Sequence, residues 1–309
     1  MFRHLLLQIG GANIGNPPTS SSLGDEKHVP SLLLSTAARD PGGHNEPMRA
    51  ADYAFFDVPF AAFAHRGGAT YEPNRHRENS LHAFKEAVAL GYRYLETDVH
   101  ATRDGVLLAF HDRVLDRVTD QTGAIAEMTY AQVAEARIHG LDPIPRLSEL
   151  LAEFPDARFN VDAKSLTAVA LLASTIEEYE ACDRVCVSSF GIRRLYELRR
   201  RLGWRVPSAA SALGVAANRF LPWMTWALNT PAPVLQMPIS VSIRDRQLTV
   251  LTPTLVESAH RAGKQVQIFT VDDSETMERL IDAGVDGIFT DRVDTLKDVL
   301  TQRGLWTER

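Results

Sequence analysis

Apolar segments and stretches of helical periodicity alternate along most of this 309-residue chain, and they predict a single TIM (β/α)8 barrel. Repeated strand–helix alternation argues for a parallel sheet. Eight such strands in one chain argue for closure into a barrel, and the length leaves room for the roughly 250 residues a barrel needs. No glycine fingerprint of the dinucleotide-binding type follows the first strand, which weakens an open doubly wound sheet.

Residues 61–64 read as the first strand. A helix is predicted over 79–90, where Leu81, Phe84, Ala87 and Val88 share one face and Gly91 supplies the stop. Residues 94–99 form the second strand, and 106–110 extends it or pairs with it across the turn dipeptide Asp104-Gly105. A helix over 147–154, a strand over 159–163, a helix over 168–179 and a strand over 185–189 follow. In the next helix, 192–202, Ile192, Leu195, Leu198 and Leu202 recur at helical spacing. Its arginines, Arg193, Arg194 and Arg199 to Arg201, therefore read as a solvated face. Residues 206–211 and 234–237 carry weaker strand patterns. A helix over 253–262, a strand over 266–271, a helix over 275–283 and a strand over 287–290 complete the alternation.

Residues 1–47 differ from the rest. Pro17-Pro18, Ser20-Ser21-Ser22 and Gly42-Gly43 interrupt them without a sustained period, so they read as a flexible arm before a barrel domain at 48–309. The apolar run after Met1 ends at Ile9, too short for the centre of a signal peptide, and no 18-residue apolar stretch predicts a spanning helix. The composition, 45% hydrophobic and 23% charged, is that of a globular protein. A net charge of −6 without a Lys/Arg run excludes a nucleic-acid footprint. The two cysteines, Cys182 and Cys186, make no disulfide framework and are expected as buried free thiols. They fit a reducing compartment, and a cytoplasmic location is expected.

Barrel active sites lie at the C-terminal ends of the strands, so the polar residues that end them are the candidates. These are His65-Arg66-Gly67-Gly68, Glu96-Thr97-Asp98, His111-Asp112, Asn160 with Asp162 and Lys164, and Thr270 with Asp272 and Asp273. Glu96 and Asp98 are two apart in a strand, so both face one way. Two inward carboxylates repel each other unless a cation sits between them, and Asp162 could supply a third. Such an oxygen set describes Mg²⁺ or Ca²⁺ rather than a thiolate zinc site. His65 and His111 stand beside that cluster, and imidazoles titrate where one can take a proton and the other give one. Arg66 and Lys164 are fixed cations suited to phosphate oxygens, or to pairing with the acidic cluster.

The run His65-Arg66-Gly67, Glu78-Asn79-Ser80, Glu96-Thr97-Asp98 and His111-Asp112 resembles the signature of glycerophosphodiester phosphodiesterases. Residues 144–151, Asn160 to Lys164 and 284–291 are similar to further segments of that family, so the resemblance spans roughly 63–300. It implies a TIM barrel, one divalent metal ion on Glu96, Asp98 and Asp162, His65 and His111 as an acid–base pair, and phosphate binding by Arg66 and Lys164. It also implies hydrolysis of a glycerophosphodiester to glycerol 3-phosphate and an alcohol.

Three departures bear on specificity. Residues 74–77 are inserted before Glu78, Asp162 stands where most members have glutamate, and Phe269 replaces a tryptophan. Phe269 and Asp272 are expected to touch substrate. Two rival readings are a lysophospholipase D- or sphingomyelinase D-like enzyme, and an inactive barrel that only binds. The span 212–235 holds Phe220, Leu221, Trp223, Met224, Trp226 and Leu228. It reads either as a barrel helix with a broad buried face or as an apolar rim that touches membrane at the mouth.

Overall fold

The structure, a computed structural model, describes residues 49–222, 232–243 and 246–307. Its centre is a sheet of parallel strands. These are β1 (Ala61–His65), β2 (Tyr94–Ala101), β6 (Arg158–Ala163), β7 (Val185–Ser188), β8 (Val234–Met237), β11 (Gln265–Ile268) and β12 (Gly287–Thr290). They lie in the order β7-β6-β2-β1-β12-β11-β8. The two outer strands are joined by residues 207–210. Ser208 bridges Val187 of β7, and Ala209 bridges Val234 of β8, both in parallel. The eight-stranded barrel read from the sequence is therefore present, with its fifth strand reduced to two bridges. Pro207 lacks an N–H to donate, which shortens that ladder. Arg199 reinforces it from outside, donating to Ser208 Oγ at 2.8 Å and Ala209 O at 3.0 Å.

Helices sheathe the ring: α1 (Leu81–Ala89), α3 (Leu147–Glu153), α4 (Leu166–Glu178), α5 (Ile192–Leu202), α6 (Ala212–Phe220), α7 (Pro253–Arg261), α8 (Ser274–Asp282) and α9 (Val293–Gln302). Serine, threonine or aspartate caps start many of them. The Ser80, Ser165, Ser211, Thr252 and Asp273 side chains each accept from the third residue of their helix, which satisfies one of the otherwise orphaned first-turn N–H groups. Because helices cover the outside and side chains fill the inside, β2 and β6 are buried along their whole length.

β3 (Leu107–Ala109) runs antiparallel to the end of β2, so of the two alternatives expected for 106–110 the structure has the pairing. Three features were not read from the sequence. Behind β3, residues 112–143 make an excursion holding α2 (Tyr130–Val133) and the short pair β4 (Arg137–Ile138) and β5 (Asp142–Pro143). β9 (Ser240–Ile243) and β10 (Arg246–Thr249) form a polar hairpin after β8. Residues 50–56 coil into two 3-10 turns that plug the end of the barrel opposite the site. There Phe55 packs on Tyr94 inside a cluster that includes Phe63, Val234 and Phe289, and the Tyr94 hydroxyl donates to Phe55 O at 2.6 Å. Arg158 pairs with Asp57 beside them.

Of the span 212–235, residues 212–220 form α6, which buries Ala212, Val215 and Ala216 as a barrel helix does. Trp223, Met224, Trp226 and Leu228 lie outside the described residues, as do residues 1–47. No described helix is long and apolar enough to cross a membrane. Both cysteines are free thiols, Cys186 buried in the barrel and Cys182 only partly buried.

Candidate active site

The register of the barrel assembles the predicted residues. His65 is paired with Glu96 across β1–β2, and Asp98 with Asp162 across β2–β6, so neighbouring strands present them on one inner face. Below them the interior is polar but neutral: Gln236 donates to Asn160 at 2.7 Å and to Gln267 at 3.0 Å.

A tight turn sets the first histidine and Arg66. Arg66 has φ +50° and Gly67 φ +87°, and a Cβ on Gly67 would stand 2.7 Å from Ala83 Cβ, so glycine is required where the turn meets α1. Asn74, fully buried in the loop before Glu78, donates to Gly67 O at 2.8 Å and to Ala83 O. That loop therefore braces the turn from one side.

Each histidine has its own carboxylate. His65 Nδ1 lies 2.9 Å from Asp291 Oδ1, and His111 Nδ1 lies 2.6 Å from Asp112 Oδ1. A carboxylate on Nδ1 selects the tautomer that carries its hydrogen there and leaves Nε2 to act on a substrate. His65 Nε2 is 3.8 Å from Glu96. Burial works against a charged His65, but Glu96 and Asp291 outweigh it and raise its pKa. For His111 burial prevails over Asp98, and with help from Arg66 and Lys164 lowers its pKa.

Lys164 stands between Asp98 and Asp162, 2.7 Å from each. Burial opposes its charge, yet the two carboxylates hold its pKa above the ordinary range. Asp98 is held low, because Lys164, Arg66 and His111 overcome the burial that would raise it. Burial raises Asp162, and Asp98 adds to that. Glu96 is pushed up to about 7, first by burial and then by Asp98.

Phe269 and a residue the sequence reading missed, Phe190, meet edge to face at 6.1 Å, and Lys164 Nζ lies 5.7 Å from the Phe190 ring. Asp272 accepts from Thr290 Oγ1 and from the Asp291 N–H, so it fixes the strand end that carries Asp291. Asp291 and Asp112 were also missed as partners. Asp291 follows the last strand, which closure places beside β1, and that position at a strand end is the signal that could have found it.

The chemistry of the donor set suits a hard divalent cation. Asp98 Oδ2 and Asp162 Oδ1 are buried without a hydrogen-bond partner. Arg66 Nε is 3.3 Å from Asp98 Oδ2, outside hydrogen-bonding geometry. A carboxylate pushed up by its neighbour, as Glu96 is, also gains from a shared cation. Among the described residues no three His, Cys, Asp or Glu side chains converge closely enough to hold a metal as they stand, since Lys164 lies between Asp98 and Asp162.

Comparison with known proteins points one way. The Glycerophosphoryl diester phosphodiesterase family model matches residues 65–295. A probable glycerophosphodiester phosphodiesterase 2 of Mycobacterium tuberculosis is 39% identical over 255 residues, covering 79% of this chain and 92% of that protein. A glycerophosphodiester phosphodiesterase of Caldanaerobacter subterraneus is 31% identical over 256 residues, covering 78% and 98%. An Oleispira antarctica phosphodiesterase solved with the product sn-glycerol-3-phosphate superposes with a TM-score of 0.65 at 21% identity, over 81% of this chain and 99% of that one. At that identity the superposition speaks for the fold.

Proposed function

Because the chain belongs to the glycerophosphoryl diester phosphodiesterase family and is a glycerophosphodiester phosphodiesterase, we propose that it cleaves its substrate by proton transfer between His65 and His111. Arg66 and Lys164 hold the phosphate oxygens. One imidazole removes through Nε2 the proton of the attacking water, or of the glycerol 2-hydroxyl whose cyclic phosphate water then opens. The other returns a proton to the leaving alkoxide, so that glycerol 3-phosphate and an alcohol are released with one water consumed. Asp291 and Asp112 keep both rings in the tautomer this needs. The observation that carries the reading is this pair of carboxylate-oriented histidines beside a buried cluster of three carboxylates and two cations.

A divalent metal ion, Mg²⁺ or Ca²⁺, is proposed on Glu96, Asp98 and Asp162. When bound it would neutralise charge on the phosphate oxygens. The partnerless oxygens of Asp98 and Asp162 support that assignment. Asp162 brings its carboxylate one methylene less far than glutamate would, which favours the larger and more adaptable cation, Ca²⁺. The Phe190–Phe269 corner favours an alcohol with a carbon-rich face toward the barrel axis.

The test is hydrolysis of glycerophosphocholine with Mg²⁺ or Ca²⁺ against an EDTA control. Release of glycerol 3-phosphate that stops in EDTA is expected. Undiminished turnover in EDTA would refute the metal, and binding without turnover under every metal would refute the reaction.

A further inference from the structure

We infer that Arg117 is a positioning residue that ties the two arms of the site together, holding His111 through Asp112 and Arg66 through Glu78. The inference rests on the acid–base role proposed above for His111.

Arg117 lies on the loop behind β3. Its Nε donates to Asp112 Oδ2 at 2.5 Å, while Nη2 and Nη1 donate to Glu78 Oε1 at 2.6 Å and Oε2 at 3.1 Å. The far oxygen of Asp112 meets His111 Nδ1, and Glu78 Oε1 also accepts from Arg66 Nη1 at 3.3 Å. A continuous chain of contacts therefore runs from His111 through Asp112, Arg117 and Glu78 to Arg66. His111 follows β3 and Arg66 follows β1, so the chain joins side chains delivered by separate loops.

A planar guanidinium can fork onto one carboxylate and still reach a second, which an ammonium cannot do with the same geometry. Arg117 is half exposed, and ion pairs in that setting contribute little to folding. Orientation is what its three bonds supply. Held only by His111, the Asp112 carboxylate could turn about its side-chain bonds and release the ring. Glu78, freed from its fork, would draw Arg66 away from the phosphate position.

Charge changes as well. His111 is faced by Asp98, Arg66, Lys164 and Asp112, with Glu78 and His100 close by. Removing Arg117 takes from Asp112 and Glu78 their shared cation, leaving Glu78 to Arg66 alone and Asp112 to His111, so the negative charge near the ring is less fully offset. His111 should then hold its proton to higher pH.

The experiment compares kcat, KM, pH profile and Tm for wild type, R117A, R117K, E78Q, H111A and the R117A/H111A double variant on glycerophosphocholine. R117A should keep its Tm, lose about 10-fold in kcat and raise KM several-fold, as oriented partners of reacting groups do. The limb of the pH profile that belongs to His111 should move upward. R117K should return that limb toward wild type while kcat stays low, because charge is restored and the fork is not. E78Q should reproduce the KM effect. In the H111A background, R117A should raise KM and leave the residual kcat where it was.

Wild-type kinetics and pH profile in R117A would overturn the inference. So would losses that merely follow a fall in Tm, or a kcat loss that adds in full to that of H111A. Near-normal turnover in H111A would instead overturn the acid–base role. The coupling to Arg66 would then be judged by the shared KM effect of R117A and E78Q.

Discussion

Replacing Glu96 by glutamine should flatten the pH dependence of stability in metal-free protein. Burial and the neighbouring Asp98 lift Glu96 from 4.5 to about 7. The native state thus keeps this proton at pH values where the unfolded chain has lost it. Between pH 4.5 and 7 the folded form binds more protons, so stability falls as pH rises, and the full penalty is present above pH 7. A difference of about 2.5 in pKa corresponds to about 3 kcal/mol at 1.36 kcal/mol per unit. For a domain of this size that is about 6–12 °C in Tm, an upper bound since neighbouring groups readjust. Melting curves in EDTA from pH 5 to 8.5 should therefore fall more steeply for wild type than for Glu96→Gln. Added Mg²⁺ or Ca²⁺ should recover the loss in wild type, because a dication favours the ionised carboxylate, and should do much less for the variant. Parallel curves in EDTA, or equal stabilisation of both proteins by metal, would refute the reasoning.

His65→Ala and His111→Ala should each lower kcat by about 10²-fold or more while an inert substrate analogue still binds, as kinetics with calorimetry would register. Phe55→Ala should cost about 3–5 kcal/mol in urea denaturation, because that ring is fully buried in the plug, yet leave kcat unchanged at the opposite mouth. Deleting residues 1–47 should leave Tm and activity close to wild type, since prolines, serines and glycines interrupt them without a sustained hydrophobic period. A large loss of stability would show that the arm belongs to the barrel.

The barrel was legible because its strands are short apolar or alternating runs separated by helical periodicity, as where Phe159, Val161 and Ala163 alternate with Asn160 and Asp162 before α4. The fifth strand was faint for a physical reason: Pro207, Ser208 and Ala209 carry little side chain to bury, and Arg199 does part of the holding. The hairpin of β9 and β10 was invisible because it is mostly polar and only Val241 is buried. His65, Glu96, Asp98, His111 and Lys164 could be read because chemistry concentrates where barrel strands end. Their supports could not. Asp291 stands 226 residues from His65, and Arg117 looks in sequence like any surface arginine. Phe190 was passed over because a lone aromatic after a strand reads as core. Asp272 has a support role of the same kind, accepting from the Asp291 N–H, which its place after a strand does not announce.

The closure of the ring has a bearing on how the chain is born. β1 is hydrogen-bonded to β12, and Phe63 stacks flat on Phe289 at 4.0 Å. On the ribosome the first strand and the aromatic plug emerge long before Phe289 is made. Until then Phe55, Phe63 and Tyr94 have no complete cavity to enter, and β1 presents an unpaired edge. Contacts of such long sequence separation form slowly, and exposed edges invite association between chains. Stalled or truncated synthesis before Gly287 would leave that edge open in every molecule. Growth temperature and synthesis rate should therefore govern the yield of folded enzyme more strongly than the stability of the finished barrel does.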